Sequence, residues 1–306
     1  MTDPQRSWHC WHAYLPHSRV NDFLIALLAQ QRSRIEAHDV FFLRYWQGGP
    51  HVRVRFRLEA AEAAEVSSQL ADLMPAFSQQ DKSEYTDQVE AQERLARLEK
   101  ETVAAPRPPG TIEAQSYVPE YAKYGGTVGV AIAEDLFCSG TCAVLELLAA
   151  TEGRPFDPLG AGMGLTVEEL AGAGLDCGEL VPFLRRYAEL WMRYAPWFAE
   201  VQLKPVWKSV EEPVMALLAR SAELSPDVGE TFAIATKAFG QAAGTDETRL
   251  DTMLDGAAFG SVLSNYIHTN NNRLGLRPDQ EILVALLLAR AFEARPAHPA
   301  GSTILI

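Results

Sequence analysis

His51, Arg53, Arg55 and Arg57 alternate with Val52, Val54 and Phe56, so an extended chain carries an imidazole and three guanidiniums on one face and an apolar row on the other. At about 7 Å spacing, twice the rise of a strand, the like charges repel one another unless something anionic or strongly hydrogen-bonding lies over them. Such a face suits a polar ligand. It equally suits a solvated sheet surface whose charges meet nearby carboxylates, which are plentiful at 40 Asp and Glu against 27 Lys and Arg.

Two further segments carry residue types capable of chemistry. In Ser116-Tyr117-Val118-Pro119-Glu120-Tyr121-Ala122-Lys123-Tyr124-Gly125-Gly126, the double glycine lets the backbone turn tightly or approach a ligand closely, and Glu120 and Lys123 stand three apart. That pair alone reads as a helix-start salt bridge worth a few tenths of a kcal/mol. The second segment runs from Ser264 through Tyr266, Ile267 and His268 to Asn270-Asn271-Asn272-Arg273-Leu274-Gly275. Consecutive asparagines are poor helix formers and good local hydrogen-bonders, so a helix is expected to fray or end there. His268 then sits near a helix terminus, and an imidazole is the side chain that exchanges protons near neutral pH, although a lone histidine is more often structural than catalytic.

The elements that must position these residues follow from periodicity. Trp8 to Leu15 reads as a strand, and Val20 to Ile35 as an amphipathic helix through Val20, Phe23, Leu24, Leu27, Leu28 and Ile35. Val40 to Trp46 is β-branched and aromatic, and the turn Gln47-Gly48-Gly49-Pro50 joins it to the arginine strand as an antiparallel hairpin. Ala60 to Phe77 is helical through Ala63, Val66, Leu70, Leu73 and Phe77; Tyr85 to Lys100 is charged and compatible with a helix; Thr102 to Gly110 is a proline-rich loop. Beyond Tyr117 the pattern is helical, with Gly126 to Ala150 and Leu250 to Leu274 as long stretches and breaks at 153–164, 172–178 and 224–229. Strands and helices segregate, which predicts an α+β fold with an N-terminal antiparallel sheet and packed helices followed by a mostly helical C-terminal half. The chain is expected to be a single domain over 1–306, sheet-rich to about 118 and helical from about 119.

Composition narrows the partners. At 306 residues and 47% hydrophobic content the chain can bury a substantial core. It has no run of 18 apolar residues, and Met1-Thr2-Asp3-Pro4-Gln5-Arg6 lacks the apolar core of a signal peptide, so a cytoplasmic protein without a membrane partner is expected. A net charge of −13 argues against a nucleic-acid backbone as partner. Cys10, Cys138, Cys142 and Cys177 are too few and scattered for a disulfide framework, and Cys138 and Cys142 at i, i+4 suit packing. No metal or organic cofactor is expected, because no Cys/His cluster has ligand spacing and Tyr124-Gly125-Gly126 lacks the rest of a phosphate-loop fingerprint.

Taken together, the histidine-initiated Arg-x-Arg strand, the Pro-Glu-x-x-basic-Tyr-Gly-Gly segment about 70 residues on, and the Ile-His followed by Asn-Arg-Leu near the C-terminus resemble the lantibiotic dehydratase C-terminal domain, also called the thiopeptide-type bacteriocin biosynthesis domain. The resemblance runs from Trp11 to about Arg295 and leaves no room for the glutamylating domain of full-length dehydratases, so a stand-alone member is expected. It implies action on a ribosomally made precursor peptide, leader plus core, and association with other biosynthetic enzymes. Members of this kind either eliminate glutamate from glutamylated Ser/Thr or join two dehydroalanines in a formal aza-cycloaddition that builds the central pyridine of thiopeptides. Arg53, Arg55, Glu120 and His268 match the eliminating pattern, but Lys123 stands where that pattern has arginine. Lysine offers a point charge where an arginine fork grips a carboxylate bidentately, so the departure favours the pyridine synthase.

For that reaction catalytic roles are expected by residue type of Arg53, Arg55, Tyr266 and His268, with His51, Glu120, Lys123, Tyr124, Asn272 and Arg273 binding substrate. Guanidiniums can hold peptide carbonyls and stabilise developing iminolate charge, a phenol can hydrogen-bond the amide oxygen, and an imidazole can shuttle protons. On a regular helix, however, residues two apart point about 200° apart, so Tyr266 and His268 converge only if the asparagines distort the helix. A non-catalytic subunit that escorts an acidic leader on the arginine strand is the remaining reading.

Overall fold

The structure, a computed structural model, describes residues 6–79, 82–151, 154–198, 203–219 and 226–294. Strands β1 (Ser7–Tyr14), β2 (Val40–Tyr45) and β3 (His51–Leu58) are β-branched and aromatic in the period-two pattern of a sheet with one buried face. The expected hairpin is present, with Val40 opposite Phe56 and Tyr45 opposite His51. A short fourth strand, β4 (Ile112–Gln115), without a sequence signal of its own, pairs with β1 and completes an antiparallel sheet in the order β2-β3-β1-β4.

The buried face explains why the arginines point the other way. Val52, Val54, Phe56 and Leu58 are completely buried, each such side chain stabilising the fold by about 1.5–3 kcal/mol. A slip of one residue would exchange this row for the arginines, so the register is strongly specified. Helix α1 (Val20–Glu36) buries the six apolar residues expected of it. Helix α2 (Ala60–Leu73) opens on a capping box between Glu59 and Glu62 and packs on β1 and β3, where Trp11 Nε1 donates to Ser67 Oγ at 3.3 Å. The single helix expected over 60–77 instead tightens into a 3₁₀ turn, Met74–Phe77, with Pro75 in its first turn. Helix α3 (Lys82–Glu99) follows, and its Gln92 ties the β2–β3 turn by accepting from Gly49 N–H at 2.8 Å.

Two compact units are present: one from the chain up to Pro119 together with Gly140–Arg154, the other from Glu120–Ser139 and the chain from Pro155 on. Helix α5 (Gly126–Ala150) contributes to both, preceded by the single turn α4 (Tyr121–Tyr124). By length and hydropathy α5 could cross a membrane, but most of its apolar stretch is buried in protein. Cys138 is buried in it, in keeping with packing.

The second unit is helical: α6 (Pro158–Gly172), α7 (Cys177–Met192), α8 (Leu203–Ala219), α9 (Pro226–Ala242), α10 (Phe259–Leu274) and α11 (Pro278–Ala294). Of the breaks expected from sequence, 172–178 holds the α6–α7 turn, closed by the Asp176–Glu179 capping box. The break expected over 153–164 is shorter than its glycines suggest, because Asp157 accepts from the N–H groups of Leu159 and Gly160 and starts α6 at Pro158. Residues 153, 224 and 225 lie outside the described residues, and α9 begins at Pro226 within the third expected break.

Two expectations near α10 are corrected. Leu250 to Leu274 is not one helix: Met253–Leu254 (β5) and Ala257–Ala258 (β6) form a minimal hairpin about Asp255 and Gly256, both with positive φ, and the helix starts only at Phe259. Nor does the helix fray at the asparagines. It runs through them to Leu274 and stops at Gly275, φ 87°, because Asn270 and Asn271 are buried and their side chains have partners inside the unit. The Gly125-Gly126 pair answers to the same hairpin. Both have positive φ, and a Cβ on Gly126 would collide with the Asp255 carboxylate.

Candidate functional site

In an antiparallel ladder, directly opposed residues share a face, so the register places a set of side chains around the arginines that the single strand could not reveal. His12 lies opposite Arg53, Cys10 opposite Arg55, Trp8 opposite Arg57 and Tyr14 opposite His51 on β1; Tyr45 and Phe41 oppose His51 and Arg55 on β2. The polar face is therefore a cluster of cations, aromatic rings and neutral imidazoles. On β1 the residues that face the arginines are the alternating Trp8, Cys10, His12 and Tyr14.

Aromatic faces lie against all three guanidiniums. Arg53 lies 3.3 Å from the centroid of Tyr45, Arg57 4.7 Å from Trp8, and Arg55 5.1 Å from both Phe41 and Tyr117. Each ring's negative face attracts the cation by about 0.5–2 kcal/mol. Glu113, opposite His12 on β4, is engaged by Arg107 at 2.7 Å. Among the described residues no carboxylate forms an ion pair with Arg53 or Arg55, and the Arg55 Nε, fully buried, has no hydrogen-bond partner. The solvated, carboxylate-neutralised face considered from composition is thus absent at these two arginines.

The imidazoles add no charge to this surface. His51 donates from Nδ1 to the Gly49 carbonyl at 2.9 Å and accepts from Arg53 Nε–H at 3.3 Å, a pattern that requires the neutral ring. Burial pushes its pKa down to about 3 against the Gly49 hydrogen bond, with His12, Arg53 and Arg55 adding to the depression. His12, stacked on His51 at 4.8 Å, is pushed down to about 4 by burial first and then by Arg53 and Arg55. Burial also raises the Cys10 thiol, so it remains a neutral neighbour of Arg55.

In the second unit α10 presents two different surroundings. The Tyr266 ring is stacked on Tyr124 at 5.7 Å and flanked edge-on by Phe137 and Phe232; its hydroxyl is buried without a hydrogen-bond partner among the described residues, and burial raises its pKa. His268 instead lies against Trp191, with ring centroids 4.1 Å apart, and its Nδ1 is 3.1 Å from Glu281 Oε1. Because α10 stays regular, the two side chains do not converge.

The other expected site residues of this unit divide similarly. Lys123 pairs with Glu120 at 3.4 Å on an exposed surface and reaches over the Tyr124 ring at 5.6 Å. Asn272 is partly buried. Arg273 is completely buried: Nη1 donates to Asn270 Oδ1 at 2.6 Å, Asn270 donates to Glu169, and the guanidinium sits 5.2 Å from the Phe137 ring. Burial pushes Glu169 up to about 8, opposed by Asn270 and Arg273. This network ties α6 to α10, so the structure seals from solvent an arginine expected to touch substrate. Tyr187 and Glu281, which escaped the sequence reading, carry the hydrogen bonds around His268.

Residues 8–292 match the family model of the lantibiotic biosynthesis dehydratase C-terminal domain. The chain belongs to that family. Its membership supports a role in the biosynthesis of modified ribosomal peptides. Among solved structures, the family fold is shared with the pyridine synthase TbtD from thiomuracin biosynthesis, at a TM-score of 0.67 and 22% identity over 93% of this chain and 97% of that one. The tRNA-dependent lantibiotic dehydratase MibB from Microbispora sp. 107891 gives 0.54 at 20% identity, over 95% of this chain but 28% of that one. TsrL gives 0.54 at 17% identity over 94% and 95%. No curated protein sequence matches the chain.

Proposed function

We propose that this protein is a pyridine synthase acting on a leader-bearing precursor peptide with at least two dehydroalanines. One dehydroalanine and its preceding amide, as the iminol, form a 2-azadiene; the second dehydroalanine adds across it; water leaves the adduct, and the leader leaves as a carboxamide as the ring aromatises. The observation that carries this reading over glutamate elimination is at Lys123. Where elimination asks for a fork on a departing γ-glutamyl carboxylate, this chain has one ammonium already paired with Glu120. The similarity in fold to a pyridine synthase accords with it.

Aligning two segments of one flexible peptide is mainly an entropic task, and well-oriented intramolecular reactions gain about 7–11 kcal/mol from alignment. Arg53 and Arg55, which pair with no carboxylate among the described residues, are suited to hold peptide carbonyls and the developing iminolate. The Tyr266 hydroxyl, buried beside Tyr124 and unpartnered among the described residues, is suited by type to donate to an amide oxygen that displaces the rings around it, and His268 to move protons in the water-loss and leader-loss steps. The test is mass spectrometry of a dehydrated, azole-bearing precursor incubated with this protein alone. A released leader carboxamide and a ring product lighter by water and leader are expected. Glutamate lost from a glutamylated peptide would decide for the eliminase, and a peptide bound but unchanged for the escort.

A further inference from the structure

Three helices of the second unit converge on His268 by ordinary helical spacing. On α10, His268 and Asn271 are three apart and share a face; on α7, Tyr187 and Trp191 are four apart; Glu281 lies in the first turn of α11. The resulting chain of contacts is continuous. Asn271 Nδ2 lies 3.4 Å from Tyr187 Oη, the Tyr187 hydroxyl donates to Glu281 Oε2, and His268 Nδ1 faces both carboxylate oxygens at 3.1 and 3.2 Å.

Burial gives this chain its direction. Glu281 is 1% exposed, and the hydrogen bonds from Tyr187 and His268 hold its carboxylate in place. Burial first, and Glu281 second, hold the Tyr187 hydroxyl in its protonated, donating form. An ionised carboxylate only accepts, so this geometry favours a proton on His268 Nδ1. Trp191, tilted 30° to the imidazole, covers one ring face and restricts rotation about the side chain. Nε2 makes no hydrogen bond among the described residues, and the His268 side chain keeps 27% of its surface exposed.

We propose that Glu281 and Tyr187 are positioning residues: Glu281, held by Tyr187, keeps the His268 proton on Nδ1 and leaves Nε2 as the atom that exchanges protons with the peptide substrate. This rests on the assignment of proton transfer to His268. Neutral imidazoles in water favour the proton on Nε2, so the geometry selects the less common tautomer, and the selection is measurable without substrate.

The experiment has two arms on the full chain. In the first, long-range ¹H–¹⁵N spectra of the wild type, with His268→Ala identifying the signal, should show a protonated Nδ1 and a bare Nε2; the opposite tautomer overturns the proposal. In the second, turnover of the dehydrated precursor is followed in Glu281→Gln, which keeps the volume. A fall in kcat of about 10-fold or more at nearly unchanged KM is expected, with a smaller fall in Tyr187→Phe. Glu281→Gln/His268→Ala should be no slower than His268→Ala alone, because a residue acting through another adds nothing once its target is gone. Multiplying effects, or loss of turnover in His268→Ala with none in Glu281→Gln, would sink the positioning role while leaving proton transfer by His268 intact. Full turnover in His268→Ala despite the Nδ1–H tautomer would instead remove His268 from the chemistry, and Glu281 with it. Should Glu281→Gln fail to fold, the wild-type spectrum and Tyr187→Phe decide.

Discussion

Tyr266 and His268 leave the same helix on opposite sides, one sealed among Tyr124, Phe137 and Phe232, the other edged by Trp191 with its ring tied to a buried carboxylate. A phenol and an imidazole two residues apart invite a picture of one substrate atom held between them. An undistorted helix forbids it, and the asparagines that could have bent the helix are instead hydrogen-bonded within the unit. Separate tasks for the two residues follow, and separate tests.

Tyr266→Phe is expected to leave stability unchanged or slightly higher, because the hydroxyl it removes is buried and has no partner among the described residues, and such a group carries a desolvation cost of about 1–3 kcal/mol. Turnover should fall by about 10²-fold if the hydroxyl donates to the substrate amide. Thermal melts and the mass-spectrometric assay separate the two effects. A melting temperature several degrees lower would mean that the hydroxyl has a structural partner after all.

The two imidazoles of the sheet predict an acid-sensitive first unit. Both have folded pKa values, about 3 for His51 and about 4 for His12, below the ordinary 6.5. Between pH 6.5 and these values the unfolded chain binds protons that the fold excludes, so stability is full above pH 6.5 and falls as pH drops toward 4. The slope approaches about 1.4 kcal/mol per pH unit for each histidine that stays neutral, less for the more accessible His12. Melting temperatures from pH 8 to 4 should therefore decline more steeply in the wild type than in His51→Gln. Parallel declines would show that His51 is protonated in the fold.

Arg55→Ala should destabilise the protein more than Arg53→Ala, since Arg55 is 9% exposed between Phe41 and Tyr117 while Arg53 keeps more contact with solvent. Truncation of Arg55 leaves a gap between two rings and removes a hydrogen-bond partner of Cys10. Turnover should fall in both variants. Arg53→Lys keeps the charge but loses the planar group over Tyr45, and it should recover only part of the activity. Full activity in folded Arg53→Ala would remove that residue from the proposed peptide-binding surface.

Much of the first unit was legible because its elements obey simple periods: the hairpin, α1 and the inward row of β3 follow from alternation and the i, i+3, i+4 rule. The short edge strand β4 was not, since four residues after a proline-rich loop carry too little pattern. Asp255-Gly256 did carry a hairpin signal, masked by the apolar run that continues into α10. The asparagine run misled because local propensity describes an exposed helix, whereas burial supplied partners that propensity ignores. Glu281 had no distinguishing signal: an acidic residue in a first turn reads as ordinary dipole complementation, and only packing of three helices brings it to His268.

Lys123 offers the sharpest discrimination between the two chemistries of the family. Its pair with Glu120 is exposed, so Lys123→Arg should change stability by no more than about 0.5 kcal/mol, and any change in reaction can be assigned to the head group itself. The wild type, with a point charge at this position, is expected to release no glutamate from a glutamylated precursor. Lys123→Arg restores the fork and should give detectable release of glutamate while retaining ring formation, because cyclisation asks no bidentate grip of this residue. Both products are resolved by mass in one assay with two peptides, one glutamylated and one dehydrated. Glutamate release by the wild type at a rate equal to that of Lys123→Arg would show that a lysine suffices, and the argument for cycloaddition from this position would fall.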